Sequence, residues 1–232
     1  MKVLFIFDDG KNSTFYLYDL VGGVNHLVHF VPEISLQTIT LGKLYAREPI
    51  EKFVAHFSGA FGIDVKKYLV MEKMEGLTLV QSSGLASDGK FHVTNPTSFT
   101  ACKNGKLYEK GDLALMPEEI DAYISWQIDE DGSFGVFTRQ EDVIRLMRKK
   151  LVTPRLSMVT KHAGKLSSYT KTNLNLKDLL KMGSGYLAKG DAPMKKQTVP
   201  TLGTYELSRE QPYRLLRIEW AENPLQLRAP LR

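Results

Sequence analysis

LALMPEEIDAYISWQIDEDGSFGVFTRQEDVIRLM, residues 113–147, reads as a short helix, an extended stretch, a turn and a long helix in succession. Pro117 suits the first turn of a helix over Met116 to Ile124, because a proline there gives up an N–H that has no intrahelical partner anyway. An extended stretch follows from Tyr123 to Ile128, and Asp129 to Gly132 marks a turn. From Arg139 to Leu151, the residues Val143, Ile144, Met147 and Leu151 recur at helical spacing and give that helix one apolar face. Arg139 stands at the helix start, where its residue reading is a partner for Glu141 or Asp142.

Toward the amino terminus, Pro49 precedes Ile50, Phe53, Val54, Phe57 and Phe61 at helical spacing, and Gly62 stops the pattern. Val65 to Met71 then reads as a strand. Lys2 to Phe7 is an apolar run ended by Asp8, Asp9 and Gly10, the pattern of a buried strand entering a turn. Thr14 to Val21 and Val24 to Val31 flank Gly22-Gly23 as a hairpin, and Ile34 to Leu41 adds a strand. Residues 84–112, rich in Ser, Gly, Asn and Thr, read as a loop-dominated insertion with one strand from Lys90 to Val93. Beyond the quoted stretch, Pro154 opens a helix through Lys165, and Asn175 with Asp178 forms a capping-box-like start for another. Thr198 to Pro200 is a closing strand, and residues 203–232 form a strand pair and a polar tail.

A hydrophobic fraction of 43% with 25% charged residues is that of a globular chain and excludes disorder. The 31 basic residues against 26 acidic ones give +5, which favours anionic partners, but the densest cluster, Arg145, Arg148, Lys149 and Lys150, fits a solvated helix end. Cys102 stands alone, so no internal disulfide forms, and the five histidines show no i, i+4 pairing of the kind zinc requires. No helix-turn-helix or basic recognition helix is evident, and a nucleic-acid partner is not expected. MKVLFIF carries six apolar residues before two aspartates, too few for a membrane span of about 20 residues or for a signal-peptide core.

The 113–147 stretch resembles a pattern of the LytR-CpsA-Psr family, which runs LDGEQALAYVRxR, a loop, then DxxRxxRQ opening a long helix. Residues 48–80 resemble a second block through Gly62-Ile63-Asp64, Tyr68 and Glu75-Gly76-Leu77, while TKTNLNLKDLL and Thr198-Val199-Pro200 resemble a third and a fourth. The blocks lie in family order across residues 2–200. The resemblance implies an α/β chain, a single domain over 1–202 with a central mixed β-sheet packed by helices, and residues 203–232 packed on it.

It also implies a chemistry. Such proteins move a glycopolymer from polyprenyl pyrophosphate to a peptidoglycan hydroxyl, outside the cell and at the membrane, with arginines on the pyrophosphate and carboxylates on Mg²⁺. Asp8 matches the family's first aspartate and is the metal candidate, Lys11 stands in its basic loop, and Arg139 with Gln140 stands as the family has them. The other positions depart: Ser13 replaces the second aspartate, Glu33, Ser125, Gln127 and Val136 replace arginines, and Ser133 replaces an aspartate. Losing one preorganised donor typically costs about 10²- to 10³-fold in rate.

The expected function is therefore a catalytically degenerate envelope protein that binds a polyprenyl-phosphate-type lipid or supports glycopolymer attachment. One alternative is an active Mg²⁺-dependent phosphotransferase using Asp8, Lys11, Arg139 and a further basic residue such as Arg47; another is an interaction or regulatory module. Phe53, Phe57, Phe61, Val143, Ile144, Met147 and Met158 are candidates to line a lipid tunnel, and are equally the residues any core would use.

Overall fold

The structure, a computed structural model, describes residues 1–21, 24–84, 86–151, 170–175, 177–178, 195–211 and 213–223. In chain order its elements are β1 (Lys2–Asp8), β2 (Thr14–Val21), β3 (Val24–Phe30), β4 (Ser35–Leu36), β5 (Ile39–Thr40), α1 (Leu41–Arg47), α2 (Ile50–Phe61), β6 (Lys67–Glu72) and α3 (Lys73–Gly84). They continue with β7 (Phe91–Asn95), β8 (Phe99–Thr100), β9 (Leu107–Tyr108), β10 (Gly111–Leu115), α4 (Ile120–Ser125), α5 (Gly135–Leu151), β11 (Thr170–Thr172), β12 (Lys195–Val199), β13 (Tyr205–Leu207) and β14 (Leu215–Ile218). Two compact units divide the chain, Met1–Glu72 with Thr170–Arg232, and Lys73–Tyr169. The strand pair beyond residue 202 falls within the first unit.

The first unit is built on a six-stranded sheet in the order β11-β6-β1-β2-β3-β12. β1 runs parallel to β6 and β3 parallel to β12, while the remaining neighbours are antiparallel, so the sheet is mixed as expected. Strand alternation and register put Leu4, Ile6, Phe15, Phe30, Tyr68 and Val70 on one face, and Phe5, Phe7, Tyr16, Tyr18, Leu69 and Met71 on the other.

Helix α2 covers the first of these faces. Phe53, Phe57 and Phe61 fall one turn apart, and their rings meet the sheet with Phe15 to Phe53 at 5.3 Å, Phe30 to Phe57 at 4.9 Å and Phe30 to Phe61 at 4.8 Å between centroids. The Tyr68 hydroxyl donates to Glu51 of the same helix. Gly62 ends the helix at φ 63°, a left-handed conformation in which a side chain is strained. At the other end of the chain, the reciprocal bonds expected at the cap are present: Asp178 N–H donates to Asn175 Oδ1 at 2.9 Å, and Asn175 N–H to Asp178 Oδ2 at 3.2 Å.

The second unit is organised by a buried ion pair. Arg139 and Asp129 both have side chains with 0% exposure, and the guanidinium reaches the two carboxylate oxygens at 2.9 and 3.2 Å. It also donates to the Trp126 carbonyl at 2.7 Å and lies over the Phe99 ring, 4.6 Å from its centroid. Gly135, at the first turn of α5, permits this pairing, because a Cβ there would collide with the Asp129 carboxylate and stand 2.8 Å from Arg139 Nη1. Phe99 stacks on Tyr108 and Trp126, and the buried Asn95 amide donates to the carbonyls of Thr97, Tyr108 and Glu109.

These contacts correct several expectations. Residues 84–112 hold β7, β8, β9 and β10 rather than one strand, since the Asn95 bonds and the Phe99–Tyr108 stack order a segment whose composition signals loop. Ile34 to Leu41 is not a strand: β4 and β5 turn at Gln37 (φ 60°), and Thr40 caps α1 by accepting from Lys43 N–H. Helix α4 runs to Ser125 where an extended stretch was expected from Tyr123, and α5 starts at Gly135, four residues before Arg139. Arg139 pairs with Asp129, not with Glu141 or Asp142; Asp142 accepts instead from Arg145 and Thr94 N–H. The helix expected from Pro154 to Lys165 lies outside the described residues.

Two changes test this account. Gly135→Ala should destabilise the protein by about 3–5 kcal/mol, the usual cost of breaking a buried pair, read as a lower urea midpoint. Phe57→Ala should cost about 3–5 kcal/mol by leaving a cavity between α2 and the sheet, and an effect below about 1 kcal/mol would contradict the packing described.

Candidate functional site

In the first unit the candidate residues gather where β1 and β6 end. Their parallel register sets Asp8 beside Glu72, the position outside the carboxyl ends of strands at which α/β sheets commonly bind ligands. A 3-10 turn, Gly10–Asn12, follows, with Gly10 at φ 59° and its N–H donating to Asp8 Oδ1 at 3.0 Å. Ser13, where the resemblance places a second aspartate, is fully buried. Its hydroxyl donates to the Gly10 carbonyl at 2.6 Å, accepts from Asp9 N–H at 2.9 Å and lies 3.3 Å from Asp8 Oδ1.

Tyr45 of α1 completes this corner. Burial first, then its hydrogen bond to Asp8 and the charges of Asp8 and Glu72, push the phenol far above its ordinary pKa, so it stays protonated and donates. The turn rests on α1 at Gly42, where a Cβ would collide with the Lys11 carbonyl and stand 2.9 Å from Pro32 Cβ. The Lys11 side chain is exposed, and Glu72 pairs with Lys171 at 3.2 Å.

Magnesium binding fits this donor set poorly. Asp8 already accepts from Gly10 and lies beside the Ser13 hydroxyl, and Ser13 cannot supply a second carboxylate. No group of three or more His, Cys, Asp or Glu side chains converges among the described residues.

The positions where arginines were expected are also accounted for. Burial raises the Glu33 carboxyl above its ordinary range, against its own backbone N–H, which lowers it. Val136 is fully buried in the second unit, and Gln127 keeps Oε1 buried with no hydrogen-bond partner among the described residues. Arg139, enclosed with Asp129, presents no guanidinium to solvent.

Ser125 differs from the others, because a cation from elsewhere reaches it. Lys73, the first residue of α3, sets Nζ 2.7 Å from Ser125 Oγ and 2.9 Å from Asp121 Oδ1, and Lys103 pairs with the other oxygen of Asp121. Partial burial raises the Asp121 carboxyl, but the bonds from Lys103 and Lys73 outweigh it and hold the group below its usual range. Sequence reasoning missed Lys73: it lies 52 residues from Ser125, and neither periodicity nor a local motif links the two.

Four of the apolar candidates are buried. Phe53, Phe57 and Phe61 are at most 2% exposed in the first unit, and Val143 is 3% exposed in the second. Ile144 is exposed, while Met158 and the Met147 side chain lie outside the described residues. On the other face of the sheet, Phe5, Phe7, Leu69 and Met71 are half-buried. Among the described residues, no helix is long and apolar enough to cross a membrane.

Comparison with known proteins places this architecture. The chain is 30% identical over 103 residues to the regulatory protein MsrR of Staphylococcus aureus, a match over 44% of this chain and 32% of MsrR, so the chain spans about a third of the length of the curated relatives it matches. The solved structure of B. subtilis TagV covers 93% of the chain and 89% of TagV at a TM-score of 0.63 and 16% identity. A LytR-Csp2A-Psr enzyme from Actinomyces oris covers 86% of the chain and 80% of its own at a TM-score of 0.62 and 16% identity. These structural likenesses carry the fold, and the LytR_cpsA_psr family profile matches residues 32–219. The chain therefore belongs to the LytR-CpsA-Psr family of cell-envelope proteins.

Proposed function

We propose that this protein is a catalytically degenerate member of its family that holds a polyprenyl-phosphate-type lipid without transferring its cargo. The observation that carries the reading is the fate of the cations: serine, glutamine and a buried valine stand at 125, 127 and 136, and Arg139 is enclosed in its pair with Asp129. Transfer from a pyrophosphate develops negative charge on the leaving group, and fixed cations must meet it. A chain without them keeps only ground-state binding, which does not raise a turnover rate.

Retention of the lipid is supported by the sheet. Its second face carries Phe5, Phe7, Tyr16, Tyr18, Leu69 and Met71, and four of these remain half-buried where the first face is closed by α2. A prenyl chain is the apolar, flexible ligand such a surface suits. Supporting glycopolymer attachment outside the cell is the role that follows.

Purified protein should co-sediment with vesicles containing undecaprenyl phosphate, equally with Mg²⁺ or EDTA, and release no phosphate from undecaprenyl pyrophosphate. Mg²⁺-dependent phosphate release would replace this reading with an active transferase, and salt-sensitive DNA binding would favour a regulatory module. Leu69→Thr, which keeps strand propensity but removes apolar contact from the second face, should weaken vesicle binding about tenfold.

A further inference from the structure

Asn104-Gly105, at the tip of the β8–β9 hairpin in the second unit, is the only asparagine–glycine pair in the chain. Cys102 to Leu107 are all exposed. In such a pair the glycine nitrogen can attack the side-chain carbonyl carbon of the asparagine and close a cyclic imide, because glycine has no side chain to obstruct the approach. Gly105 stands at φ 66°, and a Cβ there would meet nothing within 4 Å, so the approach is open in this fold too.

What surrounds the Asn104 side chain favours that attack. Its Oδ1 accepts from Lys106 N–H at 3.1 Å, which draws electrons from Cγ and steadies the negative charge that grows on the oxygen. Its Nδ2 donates to Tyr108 Oη at 2.9 Å, and Oη in turn donates to the Glu119 carbonyl at 3.1 Å. The leaving nitrogen thus lies against a hydroxyl that carries a proton. Burial pushes the Tyr108 phenol above its ordinary pKa, outweighing the hydrogen bond from Asn104, which lowers it, so that proton is kept at neutral pH.

One contact opposes the reaction. Gly105 N–H donates to the Ala101 carbonyl at 2.8 Å and must be released before the nitrogen can attack. Releasing one backbone hydrogen bond at an exposed tip slows the attack about tenfold. A fixed donor at a developing oxyanion contributes about 10²-fold and a positioned proton donor about as much, so activation exceeds the brake.

We propose that Asn104 is a self-modification site, converted to aspartate or isoaspartate without an enzyme, with Tyr108 as the proton donor. The Gly105 nitrogen gives its proton to water and bonds to Asn104 Cγ. The Cγ–Nδ2 bond then breaks, and the nitrogen leaves as ammonia with the proton from Tyr108 Oη, which solvent replaces. Water adds to either imide carbonyl and opens the ring, so the sum is amide plus water giving carboxylate plus ammonium. The product removes the donor that Tyr108 accepts from and adds one negative charge at the hairpin tip.

The full chain, incubated at neutral pH and followed by peptide mapping with mass spectrometry, tests this. Asn104 should convert about tenfold faster in the folded chain than in the same chain unfolded in urea, where Lys106 N–H and Tyr108 are no longer held in place. Asn12, exposed and followed by Ser13, is the internal comparison and should convert more slowly. Gly105→Ala should nearly abolish conversion at Asn104. Tyr108→Phe should erase the difference between folded and unfolded chains, and a native circular-dichroism spectrum of that variant separates loss of the hydroxyl from loss of the fold. Conversion no faster in the folded chain than in urea overturns the proposal, and a difference that survives in Tyr108→Phe overturns the role of the hydroxyl.

Discussion

A guanidinium removed from water must have its charge answered by protein, and in the second unit Asp129, the Trp126 carbonyl and the Phe99 ring answer it, with Nε alone of its nitrogens buried without a hydrogen-bond partner among the described residues. Much else there follows from it. Glycine at 135 leaves room for the carboxylate, α5 begins early enough to aim Arg139 inward, and the turn Asp129–Ser133 closes with backbone bonds at 2.8 and 2.9 Å. The residue that most plainly marks the family motif is thus an internal brace in this chain.

The first unit shows the same economy of cause. A mixed sheet whose central strands are apolar on both sides has two faces to cover, and α2 covers one with three phenylalanines spaced by a helical turn. The asymmetry that results, one face closed and one half-open, is what gives a lipid reading physical content. At the strand ends, Asp8 accepts from the Gly10 N–H and lies beside Ser13, so its carboxylate braces the turn.

Local signals were legible wherever neighbours in sequence were also neighbours in space. The strands β1, β2 and β3, helix α2 with its stop at Gly62, and the reciprocal cap of Asn175 and Asp178 all follow from periodicity or capping chemistry. Composition misled in residues 84–112, where Ser, Gly and Asn signal loop but one buried amide and an aromatic stack impose short strands. At the site, the sequence identified which cations were missing. It did not reveal that Arg139 had been drawn inside or that Lys73 reaches position 125.

The sequence by itself determined the family and the mixed α/β character, because those are properties of residue identity and of spacing along one element. Tertiary structure alone decided which surviving charges are sealed and which are presented. Those depend on contacts such as Lys73 with Ser125, across 52 residues, and on whether burial or a partner dominates a group's surroundings, and neither quantity is written in any local stretch of chain.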